Sequence, residues 1–243
     1  MSTVTPLSWL WEWPHWVPTL LPGLGVALLL TVISCGIGYP LGFLLALMTE
    51  ARSKPLKWTA LVLVEVGRGI PILVLLFVVY QGLPSVGILF DALPSACIAF
   101  VWSAAAYSAE MIRVSIGTVP RGQSDASYAL SMSRFDTYRY IVLPQAARIS
   151  IPPLVSLTIT MFHATSLASV ITVSELMHIA YQQGAIYFNY MTVFTAAAVI
   201  YLVITVPAAI FADRLSKRLG GVTSVRQTAF RRRRTPAPIV TGI

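Results

Sequence analysis

Glu65, Arg68, His163, Thr165, Ser166 and Glu175 all stand inside otherwise apolar runs of this 243-residue chain. An ionisable group in hydrocarbon is costly, so each is a candidate for a binding or transfer task. Glu65 and Arg68 are spaced i, i+3 and can pair on one helix face. Such a pair either closes a helix bundle or meets a solute. His163 sets a titratable imidazole beside two hydroxyls that can bond backbone carbonyls and bend a helix. Glu110 and Arg113 form a second i, i+3 pair, placed to lock their helix to the loop that follows. None of this resembles a catalytic centre. His15, His163 and His178 are dispersed, and no carboxylates cluster at metal-ligand spacing. Cys35 and Cys97 read as small buried hydrophobes. No catalytic residue, metal or cofactor is expected in the chain.

The elements that carry these groups follow from composition. The chain is 56% hydrophobic and 11% charged, with a mean hydropathy of +0.76. A soluble domain carries roughly 25% charged residues, so the class is an all-α polytopic membrane protein. A helix needs about 20 apolar residues to cross ~30 Å of hydrocarbon. Five spans are predicted, over 20–48, 57–80, 92–112, 151–176 and 190–212. On that reading His163 lies roughly 18–24 Å from the inner end of its span at 1.5 Å per residue, and Glu175 lies near the outer end. Gly36, Gly38 and Pro40, then Gly67, Gly69 and Pro71, are helix-disturbing residues suited to close packing or a cavity-lining helix.

Net charge is +8, but its distribution argues against nucleic acid. Arg52, Lys54 and Lys57 separate spans one and two. Arg113, Arg121, Arg134, Arg139 and Arg148 separate spans three and four, and Arg214, Lys217, Arg218, Arg226 and Arg231 to Arg234 follow span five. Gaps 81–91 and 177–189 hold no Lys or Arg. The asymmetry predicts the N-terminus outside and the C-terminus inside. Trp9, Trp11, Trp13 and Trp16 suit an outer interfacial segment over 1–19. The spans occupy 20–215, and 216–243 form a basic cytoplasmic tail.

The largest inner gap, 117–150, reads as two short helices. Thr118 can cap the first, with Pro120 in its opening turn. Ser133 and Asp136 have the form of a capping box for the second, and Pro144 is biased against continuing that helix. Gly122, Ala126 and Ala129 make a smooth stripe that another surface can approach closely. On periodicity alone, a docking surface and a connector packed under the span ends fit equally well.

The loop resembles the coupling-loop signature of ABC-importer permease subunits: Glu-Ala-Ala, three residues, Gly, nine residues, Ile, one residue, Leu-Pro. Asp125, Ala126, Ser127, Ser131, Ile141, Leu143 and Pro144 occupy those positions at matching spacing. The flanks resemble the permeases for polar and charged amino acids. The matching residues are Ala105 to Glu110 with Arg113, Pro120 with Gly122-Gln123, and Leu143-Pro144-Gln145-Ala146. Thr165 to Ser169, Glu175-Leu176 and Tyr201 match as well. The likeness covers roughly 60–215. Span one matches only in general character. Departures are Asp125 for Glu, Ser127 for Ala, and Ser131 for a Gly that permits a left-handed turn. His163 and Ala164 stand where the family shows Lys and an acidic residue, which leaves the charge of a solute open.

The resemblance implies a type I ABC-importer permease fold in a bacterial plasma membrane, moving a polar amino acid or related small solute by alternating access. It implies a cytoplasmic ABC ATPase dimer that binds ATP and Mg and is particular to this altered loop. It also implies a second permease subunit, identical or paralogous, and an extracytoplasmic solute-binding protein. Gly122, Gln123, Asp125 and Ala126, with the other signature residues, would meet the ATPase within 117–148. The chain has no Gly-x-x-x-x-Gly-Lys-Ser/Thr loop and is not expected to hydrolyse ATP. The rival class, an autonomous channel or secondary transporter, calls for inverted repeats or a mid-membrane carboxylate pair for a coupling ion. Neither is evident.

Overall fold

The computed structural model of the protein describes residues 12–219, which are all helix and connection, with no strand. Trp9, Trp11, Arg226 and the run Arg231 to Arg234 lie outside them. Helix α1 spans Trp13–Thr49, with a proline in its first turn where a missing N–H costs nothing. At about 55 Å it exceeds the hydrocarbon thickness. It begins at Trp13, so residues 13–19 continue directly into the first span. Pro40 lies within α1 without ending it.

The buried face of α1 is a stripe that includes Leu20, Gly23, Ala27, Leu30, Ser34, Gly38, Gly42 and Ala46. Lipid tails are as apolar as leucine, so association here depends on close packing rather than on escape from water. The stripe meets α4 (Ala92–Thr118) along its own small residues. A Cβ at Gly38 would come within 2.7 Å of the Ala104 Cβ, and one at Gly42 within 2.6 Å of the Ala105 carbonyl oxygen. These contacts advance together along both helices, so α1 and α4 run parallel.

Helix α2 (Lys54–Gly69) starts from the short turn after α1, and α3 (Ile72–Phe77) follows after a 101° bend. The break has a local cause. Ile70 is extended, as a residue before proline prefers, and Pro71 has no N–H to donate. The run 57–80, expected as one span, is therefore bent. It ends through a π turn (Val78–Gly82) and a 3₁₀ turn (Leu83–Val86).

Helix α5 (Arg121–Ala129) and α6 (Arg134–Asp136) form a hairpin after α4. The second arm does not stop before Pro144. It passes through a π turn at Thr137–Val142 into α7 (Leu143–Ala164), which puts Pro144 in the first turn of α7. The widened π turn absorbs the lost N–H and the ring, so the expected break is absent. A 3₁₀ segment, Thr165–Ile171, extends α7 to one continuous helical course from Arg134 to Ile171. Helix α8 (Leu176–Tyr187) fills the gap 177–189 between expected spans, and α9 (Tyr190–Leu219) completes the bundle.

Among the described residues, four helices are long and apolar enough to cross a membrane, or up to five if the bent α2–α3 pair counts as one span. The α1–α2 turn, the α5–α6 hairpin and the end of α9 share one end of the bundle, hereafter the loop end. Every described Lys and Arg except Arg68 lies toward that end. Leu30, Leu76, Phe100, Met161 and Ile171 fill the middle. Ala46, Val64, Ile112, Val142 and Ala146 seal the loop end. Trp16, Leu20, Leu176, Val193 and Ala197 close the far end.

Candidate functional site

The hairpin presents one face outward. Gly122, Gln123, Asp125 and Ala126 are exposed on α5, and no atom lies within 4 Å of where a Cβ on Gly122 would stand. Leu130 and Phe135 at the tip are 77% and 69% exposed. Apolar side chains this bare at the polar end of a membrane bundle mark a surface made to be covered. Ser131 turns the chain with φ of 59°, the left-handed conformation that a glycine at this position would permit. Ser133 caps α6 by accepting from the Asp136 N–H at 3.1 Å, and its hydroxyl donates to Asp136 Oδ2 at 2.6 Å. Thr118, by contrast, does not cap α5. It ends α4, and its hydroxyl donates back to the Val114 carbonyl at 2.9 Å, leaving Pro120 at the N-cap.

The other signature residues hold the hairpin together. Ile141 and Leu143 are half-buried, Pro144 is exposed, and Val142 and Ala146 pack beneath α4. Gln145 donates to the Ile141 carbonyl at 2.9 Å and reaches Gln123 at 3.5 Å. Ser127 is buried rather than outward-facing. Its hydroxyl donates to the Ser124 carbonyl at 2.7 Å and lies 2.8 Å from the Thr137 hydroxyl on the opposite arm.

Inside the bundle the ionisable groups form two constellations. In the first, Arg68 Nη1 lies 3.5 Å from both Glu65 Oε1 and Glu110 Oε2. Glu110 also takes a bidentate pair from Arg113, at 2.9 and 2.7 Å. The expected Glu65–Arg68 pair is present, and Glu110 ties α4 to α2 through Arg68, while Arg113 bonds Glu110 within α4 rather than reaching the hairpin. The Glu65 side chain is 67% exposed and that of Glu110 only 21%. Glu65 lies about 16 Å along α2 from its loop-end start. A carboxylate so far inside the span and so bare requires water, solute or another subunit beside it. Arg68 Nε is buried without a partner.

The second constellation joins α7, α8 and α9. Thr165 and Ser166 donate to the carbonyls three residues back, Phe162 at 2.7 Å and His163 at 2.8 Å. These bonds accompany the change from α to 3₁₀ winding, as the adjacent hydroxyls predicted. His163 is exposed, with its ring 6.2 Å from those of Phe162 and Tyr201. Glu175 is fully buried and forms the N-cap of α8. Its carboxylate accepts from the Met177 N–H at 2.9 Å, the His178 N–H at 2.7 Å and the Tyr201 hydroxyl at 3.4 Å. Its backbone packs so tightly on Gly23 that a Cβ there would come within 2.8 Å. Gly23 and Tyr201 each stand some ten residues inside their helices, about 15 Å from the far end. Glu175 is therefore deep in the bundle.

No hydrogen bond or ion pair among the described residues joins the two constellations, and none of their carboxylates, histidines or cysteines gathers in threes as a metal site would require. Sequence reasoning missed the Arg68–Glu110 link and the Ser127–Thr137 pair, because each depends on which helices become neighbours. The arrangement thus has exposed polar groups within the spans and a hydrogen-bonded hairpin at one end.

Comparison with known proteins agrees with this geometry. Residues 38–221 match the family described as binding-protein-dependent transport system inner membrane component. The chain is 39% identical over 201 residues to the probable amino-acid ABC transporter permease protein YckA of Bacillus subtilis, covering 83% of this chain and 89% of that protein. It is 32% identical over 214 residues to the glutamine transport system permease protein GlnP of Escherichia coli, covering 87% and 97%. A crystal structure of an amino acid ABC transporter with histidines contains a chain of the same fold. Its TM-score is 0.83 at 30% identity, over 88% of this chain and 100% of that one. An inward-facing MetNI methionine ABC transporter shares the fold at 22% identity, with a TM-score of 0.64 over 84% and 95%. The chain belongs to the family of binding-protein-dependent transport system inner membrane components.

Proposed function

We propose that this chain is the five-span permease subunit of an amino-acid ABC importer, carrying a polar amino acid or close relative across a bacterial plasma membrane by alternating access. Its N-terminus is outside and its loop end faces the cytoplasm, in keeping with the Lys and Arg distribution. A separate ATPase dimer binds ATP and Mg and grips the hairpin through Gly122, Gln123, Asp125 and Ala126. A second permease subunit completes the pathway, and an extracytoplasmic binding protein delivers the solute. Glu65, Arg68 and His163 line the route, while Thr165 and Ser166 shape the helix beside it.

The observation that carries this reading is the exposed α5 face and hairpin tip within a chain of this family. The test is uptake of labelled amino acids into proteoliposomes holding the chain with its ATPase, binding protein and any partner permease. Uptake should require ATP. Ala126→Trp, on the open α5 face, should leave the chain inserted and abolish uptake while ATP hydrolysis continues. Solute uptake by vesicles containing this chain alone would overturn the proposal.

A further inference from the structure

Along the outside of the bundle, α1, α2 and α4 enclose a furrow of about 640 Å³. Ile33, Ile37, Leu41 and Met48 form one wall, Leu63 and Trp102 stand opposite, and no hydroxyl, amide or charged side chain lines it. From Ile33 to Met48 the furrow runs about 22 Å along α1, more than one leaflet's half of ~30 Å of hydrocarbon. It is too apolar for a polar solute and long enough for one acyl chain.

The lining residue nearest the loop end, Met48, stands four positions before Arg52 in the α1–α2 turn. Arg52, Lys54 and Lys57 are exposed there, and none is ion-paired among the described residues. Glu50 is the one carboxylate in that turn, so cations outnumber it three to one. Trp58, 66% exposed, marks the interface at the same level.

We propose that this furrow is a binding site for an anionic glycerophospholipid, with one acyl chain along α1 and the headgroup held by Arg52, Lys54 and Lys57. The inference is independent of the transport reading.

The full-length protein in phosphatidylcholine nanodiscs, titrated with lipids carrying dibrominated acyl chains, tests it. Bromine quenches nearby indoles, and the Trp102 signal is isolated by subtracting that of Trp102→Phe. Brominated phosphatidylglycerol should quench Trp102 at a lower mole fraction than brominated phosphatidylcholine. Each of Arg52→Gln, Lys54→Gln and Lys57→Gln should reduce that preference about fivefold. Leu41→Phe, which narrows the furrow, should reduce quenching by both lipids. Equal quenching by the two lipid classes would overturn the proposal, leaving only unselective boundary lipid. No quenching by either would overturn it too, showing the furrow covered by a second copy or another protein.

Discussion

The Ser127 and Thr137 hydroxyls meet at 2.8 Å across the hairpin, and both side chains are buried. Ser127 already donates its one proton to the Ser124 carbonyl, so Thr137 is the donor between them. Ser127 is also where the coupling signature has alanine. The substitution therefore introduces a polar staple that the usual sequence lacks, and Thr137 answers it from the other arm.

Ser127→Ala should strand the Thr137 hydroxyl in a buried site, at a cost of about 1–3 kcal/mol. Adding Thr137→Val should recover most of that loss, since neither arm then carries an unmet group. Thermal unfolding of the purified protein and hydrogen exchange across 121–142 measure it. A double variant that costs as much as the two single changes summed would show that the hydroxyls act independently.

Ser131 stands at φ of 59°. That conformation costs an L-residue about 1–2 kcal/mol, partly balanced by the lower chain entropy of serine relative to glycine when unfolded. Ser131→Gly should leave the hairpin geometry intact and stabilise it by up to about 1 kcal/mol, read as slower exchange at Leu130 and Met132. Destabilisation would mean that the serine side chain has a role beyond tolerating the turn.

Much of this was legible in the sequence, for identifiable reasons. Long apolar runs declare spans whatever they pack against, and the coupling signature is a local spacing. A turn at position 131 was marked by the glycine that serine replaces, although the left-handed φ itself shows only in the structure. Legibility failed where neighbours decide. Glu110 and Arg68 are 42 positions apart and meet only because α2 lies on α4. Pro144 suggested a break, yet a π turn lets the helix continue. Helix α8 went unread in the gap 177–189 because its 12 residues are too short to span and lack a clear apolar period. Its start was nonetheless marked by Glu175, whose role as a cap shows only once the Met177 and His178 amides are in place.

In the Glu65, Arg68, Glu110 and Arg113 network, burial ranks the carboxylates. Glu110 touches both arginines and is mostly covered, whereas Glu65 touches one and is mostly bare. Glu110→Gln should therefore destabilise the bundle by more than about 1 kcal/mol, and Glu65→Gln by less than about 1 kcal/mol, the range of exposed pairs. Glu65→Gln should instead register in solute uptake, because its carboxylate is mostly exposed within the run expected to span the membrane. Thermal stability and uptake, measured on both variants, separate the roles. A Glu65 variant that unfolds as readily as the Glu110 variant would make Glu65 a structural ion.

Glu175 poses the sharpest choice between architecture and transport. Its carboxylate caps α8 with two backbone N–H bonds and receives the Tyr201 hydroxyl from α9, which leaves little of it free for a solute. Loss of such a cap costs about 0.5–2 kcal/mol. Glu175→Ala should accordingly speed hydrogen exchange at Met177 and His178 and loosen α8. Tyr201→Phe, which removes only the longest of the three bonds, should leave those two amides protected. If Glu175→Ala instead abolished uptake while both amides kept their protection, the carboxylate would be acting on the solute, and the capping role assigned here would be secondary.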